Sequence, residues 1–301
     1  MNKYLVYLSE RFPLKSYVPI IAIFSFSAIC YSLSAVGETQ FIPWLDYFKA
    51  FFLTFTIFLL LRISDEFKDH EDDMKYRKYL PVPRGLITLQ ELKWVGILLI
   101  IMQITLIVFN QSFLSIYLVS MVYLGFMFKE FFIEDWLKSH QMAYVISHMM
   151  IIPLVDLVAS AAHWSFVGIN PPMALAWFFA VSFFNGIVLE IGRKIKLPDH
   201  EEEGVVSYSK LWGMHKAVYI WIFILLITLI LSFVASYAIS SPLYIYVLLG
   251  VFASFGFYVA FNFLANPTPK KAKMIENAAG LWTMGMYLNL GALPFIIKNL
   301  L

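Results

Sequence analysis

Long apolar segments dominate this chain and limit the structures that it can form. Nine segments contain roughly 20 mostly apolar residues each, which is the length that a helix needs to cross a bilayer. They are predicted at 16–35, 42–63, 92–110, 113–132, 140–162, 173–191, 217–237, 243–264 and 275–298. The composition agrees, since 60% of the residues are hydrophobic and only 14% are charged. We therefore predict an all-α polytopic membrane protein, a bundle of about nine transmembrane helices that forms a single domain over residues 1–301.

The distribution of Lys and Arg predicts the orientation of these helices. Basic residues concentrate before the first segment and after the second, fourth, sixth and eighth segments. The intervening connections contain no Lys or Arg and lie at 36–41, 110–112, 163–172 and 238–242. By the positive-inside rule, the amino terminus and the charged connections are predicted to be cytoplasmic. An odd number of spans then puts the carboxyl terminus on the opposite side.

The most acidic stretch of the chain follows the second apolar segment. Residues 65–73 hold six of the protein's 20 acidic residues. Asp65, Asp69 and Asp73 recur every four residues, so on a helix they line one face. Carboxylates at the end of a membrane helix are costly unless a cation meets them. Clustered oxygen ligands suit Mg²⁺, which commonly binds together with phosphate groups.

A second charged connection, residues 190–213, is predicted to face the same compartment. Glu190, Arg193 and Lys194 stand at i, i+3 and i+4, so they share a helix face. Either connection alone is typical of a solvated loop. Two connections that mix carboxylates with Lys or Arg indicate a diphosphate site, because carboxylates hold Mg²⁺, the metal bridges phosphate oxygens, and basic side chains neutralise the remaining charge.

These motifs resemble those of the UbiA superfamily of intramembrane prenyltransferases, which includes terpene-cyclase-like members. The first family signature is approximately Asn-Asp-x-x-Asp-x-x-x-Asp, followed by Arg-x-x-Pro-x-Pro-x-Gly. Here Asp65-Glu66-x-x-Asp69-x-x-x-Asp73 and Lys78-x-x-Pro81-x-Pro83-Arg84-Gly85 fit that pattern. The second signature is matched more loosely, with Asp199-x-x-x-Glu203 in place of a clean Asp-x-x-x-Asp. The resemblance implies nine transmembrane helices around a central cavity.

The resemblance also implies which residues form the site. The expected Mg²⁺ ligands are Asp65, Glu66, Asp69, Asp73, Glu190, Asp199, Glu202 and Glu203. The expected diphosphate contacts are Lys68, Arg77, Arg193 and Lys194. Through the metal, Asp65, Asp69 and Asp73 are expected to be catalytic.

Polar residues inside the apolar segments form a second group of candidates. Asp156 and His148 lie eight residues apart, hence near one helix face, and Asn185 lies about one and a half turns before Glu190. Ionisable groups within a membrane are candidate functional residues, and hydrogen bonding between helices is the alternative. We predict that Asp156 is catalytic, as a proton acceptor or cation stabiliser, and that Asn185 contacts the substrate. His148 could act as Asp156 does or only contact a neighbouring helix.

The sequence favours a Mg²⁺-dependent enzyme that ionises a prenyl diphosphate and transfers the prenyl group to an aromatic or lipid acceptor. The runner-up is a terpene cyclase that converts the prenyl diphosphate into a cyclic terpene. A transporter is a third hypothesis. It is less favoured, because a transporter is expected to have charge pairs near the bilayer midplane and broken helices, whereas most charge here lies at the predicted cytoplasmic ends. The expected partners are the prenyl diphosphate, the acceptor and membrane lipid, with no nucleic acid.

Overall fold

The computed structural model describes residues 2–205 and 207–300, and over these ranges it contains helices but no strands. In chain order the helices are α1 (Lys3–Arg11), α2 (Leu14–Ala35), α3 (Trp44–Lys68), α4 (His70–Tyr76), α5 (Leu89–Ile107), α6 (Gln111–Phe128), α7 (Glu134–Ser139), α8 (Gln141–Met149), α9 (Ile151–Trp164), α10 (Leu175–Gly192), α11 (Tyr208–Trp212), α12 (Met214–Ala238), α13 (Leu243–Ala265), α14 (Pro269–Tyr287) and α15 (Leu293–Leu300). Short 3₁₀ turns lie at Glu130–Phe132 and Pro198–His200, and a π turn at Leu288–Ala292 joins α14 to α15.

Nine membrane-crossing units are present in the described part of the chain. They are α2, α3, α5, α6, α8 with α9, α10, α12, α13, and α14 with α15. Each is long and apolar enough to cross a bilayer, which confirms the predicted all-α polytopic fold. The helices differ in burial: between 56% and 61% of the apolar window is buried in α2, α8–α9, α10 and α14–α15, against 22% in α5. The four more buried units, α2, α8–α9, α10 and α14–α15, therefore form the centre of the bundle, and α5 faces lipid.

Close packing between α10 and α12 fixes the end of α10 that carries the second charged segment. A Cβ added to Gly192 would lie 2.9 Å from Nε1 of Trp221, so only glycine fits there. The same indole N–H donates to the carbonyl oxygen of Val188 at 2.9 Å. In a bilayer, helix association depends on such close contacts and hydrogen bonds, because lipid is as apolar as the side chains. The end of α10 is thus held rigidly against α12.

The first acidic stretch differs from its predicted form. Helix α3 continues to Lys68, five residues past the predicted end at position 63, because no helix-breaking residue intervenes. The helix is interrupted within this stretch, since Asp69 has φ −90° and ψ 6° and separates α3 from α4. The backbone N–H groups of Asp69 and Asp73 still donate to the carbonyl oxygens of Asp65 and Asp69 at 2.9 and 2.8 Å. The three carboxylates therefore keep the predicted spacing of about one turn.

Candidate active site

The ends of α3 and α10 bring the two charged segments to one end of the bundle. Asp65 and Arg193 are close enough to interact electrostatically. Their side chains are 47% and 60% accessible to solvent. Both side chains are therefore open to a ligand at this end of the bundle. The adjacent carboxylate of Glu190 raises the pKa of Arg193 and keeps its guanidinium charged.

Two carboxylates of the first acidic stretch keep oxygens that are available to a ligand. The nearest cation to Asp65 is Arg62, whose Nη1 lies 3.5 Å from Oδ2, too far for a strong hydrogen bond. Among residues 2–205 and 207–300, no side chain forms a hydrogen bond or ion pair with the Asp69 carboxylate. Asp69 interacts electrostatically with both Asp65 and Asp73. Asp65 and Asp69 are thus neighbouring carboxylates, and neither is engaged by a strong side-chain hydrogen bond within the described residues.

Arginine side chains already pair with the other two expected metal ligands of this stretch, Glu66 and Asp73. Oε1 of Glu66 accepts hydrogen bonds from Nε of Arg11 at 2.6 Å and from Nη2 of Arg62 at 3.0 Å. Oδ1 of Asp73 lies 2.5 Å from Nη2 of Arg77. Burial raises the pKa of Asp73, and the charge of Arg77 opposes this effect. The roles of Glu66 and Asp73 as metal ligands, and of Arg77 as a diphosphate contact, stay predictions.

Glu190 organises two of the predicted cations in the second segment. Its Oε2 accepts from Nε of Arg193 at 2.8 Å, and its Oε1 lies 2.7 Å from Nζ of Lys194. The hydroxyl of Tyr208 also donates to Oε1 at 3.4 Å. Glu190, Arg193 and Lys194 therefore share one face, as their spacing in the sequence predicted. Because both carboxylate oxygens are engaged, the geometry favours Glu190 as the residue that orients Arg193 and Lys194.

The remaining acids of the second segment lie in an exposed loop that meets the first one. Asp199 lies in the turn Pro198–His200 and is exposed. Gly204 has φ +75°, and a Cβ there would lie 2.2 Å from the ring of Tyr76, so glycine permits the contact between the loops. Beside it is a cavity of about 330 Å³, lined by Lys75, Tyr76, Arg77, Tyr79, Glu202 and Glu203.

The donor set fits a Mg²⁺ ion that also binds substrate phosphates. In the described ranges, no three His, Cys, Asp or Glu side chains converge as a metal cage. Mg²⁺ seldom needs one, because it usually takes one or two carboxylates together with water and phosphate oxygens. Asp65 and Asp69 supply hard oxygen ligands whose charge no neighbouring cation fully neutralises. They are the residues that would hold the ion.

Lys68 is held in a network of polar side chains beside Asp69. Its Nζ lies 2.7 Å from Oε1 of Glu130 and donates to the hydroxyl of Tyr144 at 2.6 Å. Nε2 of His148 lies 3.1 Å from Oε2 of Glu130. Burial raises the pKa of Glu130, but His148 and Lys68 outweigh burial and lower it overall. Lys68 and His148 are therefore brought together, while contact between Lys68 and a diphosphate stays a prediction.

The turn that carries Glu130 has a strained backbone. Glu130, Phe131 and Phe132 have φ values of 47°, 53° and 59°, and none of them is glycine or asparagine. Residues held in this left-handed region cost on the order of 1–3 kcal/mol each, and the surrounding structure must hold them there. The ring of Phe131 packs edge-on against Tyr123 at 5.4 Å and against His148 at 6.1 Å. These contacts fix the direction of the Glu130 carboxylate.

The two deeper candidates make hydrogen bonds between central helices. Asp156 is fully buried, and its Oδ2 accepts from the hydroxyl of Tyr287 at 2.9 Å and from that of Ser182. Its Oδ1 has no partner in the described part of the chain. Asn185 accepts from the hydroxyl of Thr283 at 3.2 Å. Ser182 is eight residues from Glu190 along α10, so the Asp156 cluster lies roughly 12 Å deeper.

Several partners of the candidate residues were not singled out from the sequence. Arg62 carries a usable signal, because it lies four residues before Glu66 on one helix. No local sequence signal identifies the other three, since each meets its partner only through tertiary packing: Arg11, Glu130 and Tyr287. The left-handed turn also lacks the residues that usually announce positive φ.

Comparisons with known proteins agree with this architecture. The model of the UbiA prenyltransferase family matches residues 15–287. A solved structure of a digeranylgeranylglyceryl phosphate synthase is similar with a TM-score of 0.68 and 20% sequence identity, over 100% of both chains, which supports the fold. No individual curated protein matches the chain. The chain belongs to the UbiA prenyltransferase family and is an integral multi-pass membrane protein, as its motifs led us to expect.

Proposed function

We propose that this protein is a Mg²⁺-dependent prenyltransferase that ionises a prenyl diphosphate and passes the prenyl group to an aromatic or lipid acceptor. The observation that carries the proposal is the pair Asp65 and Asp69, with available oxygens, close to the exposed guanidinium of Arg193 at one end of the bundle. A diphosphate needs both a metal-binding acid and fixed cations. The alternation of basic connections supports a cytoplasmic location for this site.

The cations of the second segment would stabilise the leaving group. Cleavage of the C–O bond sends its electron pair to the diphosphate, and Arg193 and Lys194 carry the charge that meets the developing negative oxygens. Because Glu190 orients both side chains, little reorganisation is needed as that charge appears. A bound Mg²⁺ would neutralise phosphate charge as a Lewis acid. The acceptor then forms a bond to the prenyl carbon and loses a proton.

The interior of the bundle suits the isoprenoid chain and the allylic cation. Beyond the charged end the central helices are apolar, which excludes water that would quench the cation. Buried rings lie along this path: Phe24 and Phe178 have centroids 4.8 and 5.8 Å from that of Tyr287. The faces of these rings attract cations and would stabilise the positive charge of the prenyl group.

The test measures diphosphate release by the purified protein in lipid nanodiscs, with Mg²⁺, prenyl diphosphates of several lengths and a panel of acceptors. Asp69→Asn is expected to abolish release, because it removes the carboxylate charge that no side chain neutralises. Asp72→Asn is the matched control, since Asp72 is an exposed acid on the same segment. Full activity of Asp69→Asn, or release by wild type that needs no divalent metal, would sink the proposal.

One observation keeps terpene cyclisation as the second candidate function. The unpartnered Oδ1 of Asp156 is a proton acceptor inside an apolar bundle, where a cyclase would need one to end the reaction. Incubation with Mg²⁺ and a prenyl diphosphate, without acceptor, separates the two activities. A cyclic terpene would establish the cyclase and exclude the transferase. Asp156→Asn should then stop product formation while diphosphate release continues.

A further inference from the structure

The ammonium group of Lys68 lies among three polar groups of the protein. It lies 2.7 Å from Glu130 and 2.6 Å from Tyr144, and 3.4 Å from Nε2 of His148. Glu130 and Tyr144 take two of its three N–H donors, and the imidazole is too far away for a strong hydrogen bond to the third. Lys68 directly precedes Asp69, and its charge acts on Asp65. To direct its charge at a phosphate oxygen of the candidate site, Lys68 must give up one of these partners.

Glu130 is the partner that can release Lys68 at the smallest cost. Its second oxygen, Oε2, lies 3.1 Å from Nε2 of His148. Nδ1 of that ring lies 2.9 Å from the carbonyl oxygen of Tyr144, which only accepts, so Nδ1 is the donor and the ring orientation is fixed. A buried carboxylate that loses its only cation is strongly destabilising. Glu130 avoids this outcome when Nε2 of the imidazole is also protonated, because the imidazolium then donates to Oε2 and supplies the replacing charge.

The backbone around Glu130 indicates that the place of its carboxylate matters. Three consecutive non-glycine residues with positive φ form the turn, and packing of Phe131 against His148 holds it. Strained backbone of this kind persists where the surrounding structure over-determines it and is concentrated at functional sites. Here the strained turn points one acid at the one lysine next to Asp69.

We propose that Glu130 is the internal counter-ion of Lys68 and occupies the position beside its ammonium group that a phosphate oxygen takes in the substrate complex. Binding of a diphosphate transfers Lys68 from Glu130 to the ligand, and Glu130 remains on His148. Glu130 is thus a positioning residue that sets the affinity of the site for diphosphate. This inference rests on the proposed function in taking a diphosphate as the ligand.

The test measures binding of inorganic diphosphate, with Mg²⁺ present, to the full-length protein in detergent by calorimetry. Glu130→Gln keeps the shape of the side chain and removes its charge. Glu130→Gln is expected to tighten diphosphate binding by roughly five- to tenfold. This is the low end of the range of affinity changes that is typical when two interactions are energetically coupled. Glu134→Gln is the matched control, because Glu134 is an exposed acid of the same segment paired with Lys138, and it should leave affinity unchanged.

The sign of the effect separates this role from a structural one. A structural lesion weakens binding, so unchanged or weaker binding in Glu130→Gln overturns the inference. In a Lys68→Met background the Glu130→Gln substitution should no longer tighten binding, and a persistent gain there also overturns it. If Glu130→Gln does not fold, Glu130→Asp, which withdraws the charge by one methylene, must still tighten binding, though by less. Wild type that binds no diphosphate refutes the proposed function itself.

Discussion

Contact between the two loops at Gly204 gives the sharpest test of how the site is assembled. Gly204→Ala introduces two separable penalties. The backbone at φ +75° becomes strained by about 1–2 kcal/mol, the cost of the left-handed conformation for a residue with a Cβ. The new Cβ also meets the ring of Tyr76 at 2.2 Å, so the loops must part by at least about 1.2 Å to reach the 3.4 Å of ordinary van der Waals contact. Misplacement of that size costs up to about 100-fold in rate when it reaches a catalytic site.

A second glycine isolates the contact from the backbone strain. Gly168 has φ +73° and nothing within 4 Å of an added Cβ, so Gly168→Ala carries only the strain. Thermal unfolding in detergent should show the larger loss of stability for Gly204→Ala, because it adds the contact with Tyr76 to the backbone strain. Diphosphate release should fall 10- to 100-fold in Gly204→Ala alone, and Tyr76→Ala should restore part of it by removing the ring. Equal activity of the two glycine variants would refute the idea that this loop contact shapes the site.

The other predictions concern the metal, the buried acid and the packing of α10. Chelation of divalent metal with EDTA should stop diphosphate release, and added Mg²⁺ should restore it; release that survives chelation contradicts the metal assignment. Arg11→Met should lower the free energy of unfolding by about 1.5–3 kcal/mol, because buried Glu66 loses a charged hydrogen bond. Lys273→Gln, which breaks an exposed ion pair, should cost less than about 1 kcal/mol by the same measurement. Gly192→Leu should disrupt packing against Trp221 and destabilise the fold; unchanged thermal stability would show that α10 is not held there.

Most of the fold was predictable from the sequence because bilayer thickness fixes helix length. All nine predicted spans coincide with membrane-crossing units in the described residues. Boundaries were less certain, because hydropathy falls before a helix ends. Arg62 and Glu66 pair at i and i+4, so polar residues continue α3 into the charged end.

The candidate site was predictable in its composition but not in its pairing. Regular spacing along α10 is a local property, so the Glu190, Arg193 and Lys194 face followed from the sequence. Two ion pairs of the site depend on how distant segments pack: Arg11 with Glu66, and Glu130 with Lys68. No local periodicity encodes such contacts. For this reason the sequence did not show that Glu66 is paired with arginines while Asp69, in the same motif, has no side-chain partner in the described residues.

The buried cluster of Asp156, Ser182 and Tyr287 has a consequence for how the protein is made. Its members come from α9, α10 and α14, and the tyrosine hydroxyl is 131 residues from the aspartate along the chain. During synthesis α9 therefore enters the bilayer long before α14 exists. Until then a carboxyl group lies among lipid or half-packed helices with one of its two donors missing, which is costly in an apolar medium. Insertion of α14 would supply the missing tyrosine donor. The two hydrogen bonds would then fix the orientation of α9, α10 and α14 relative to one another.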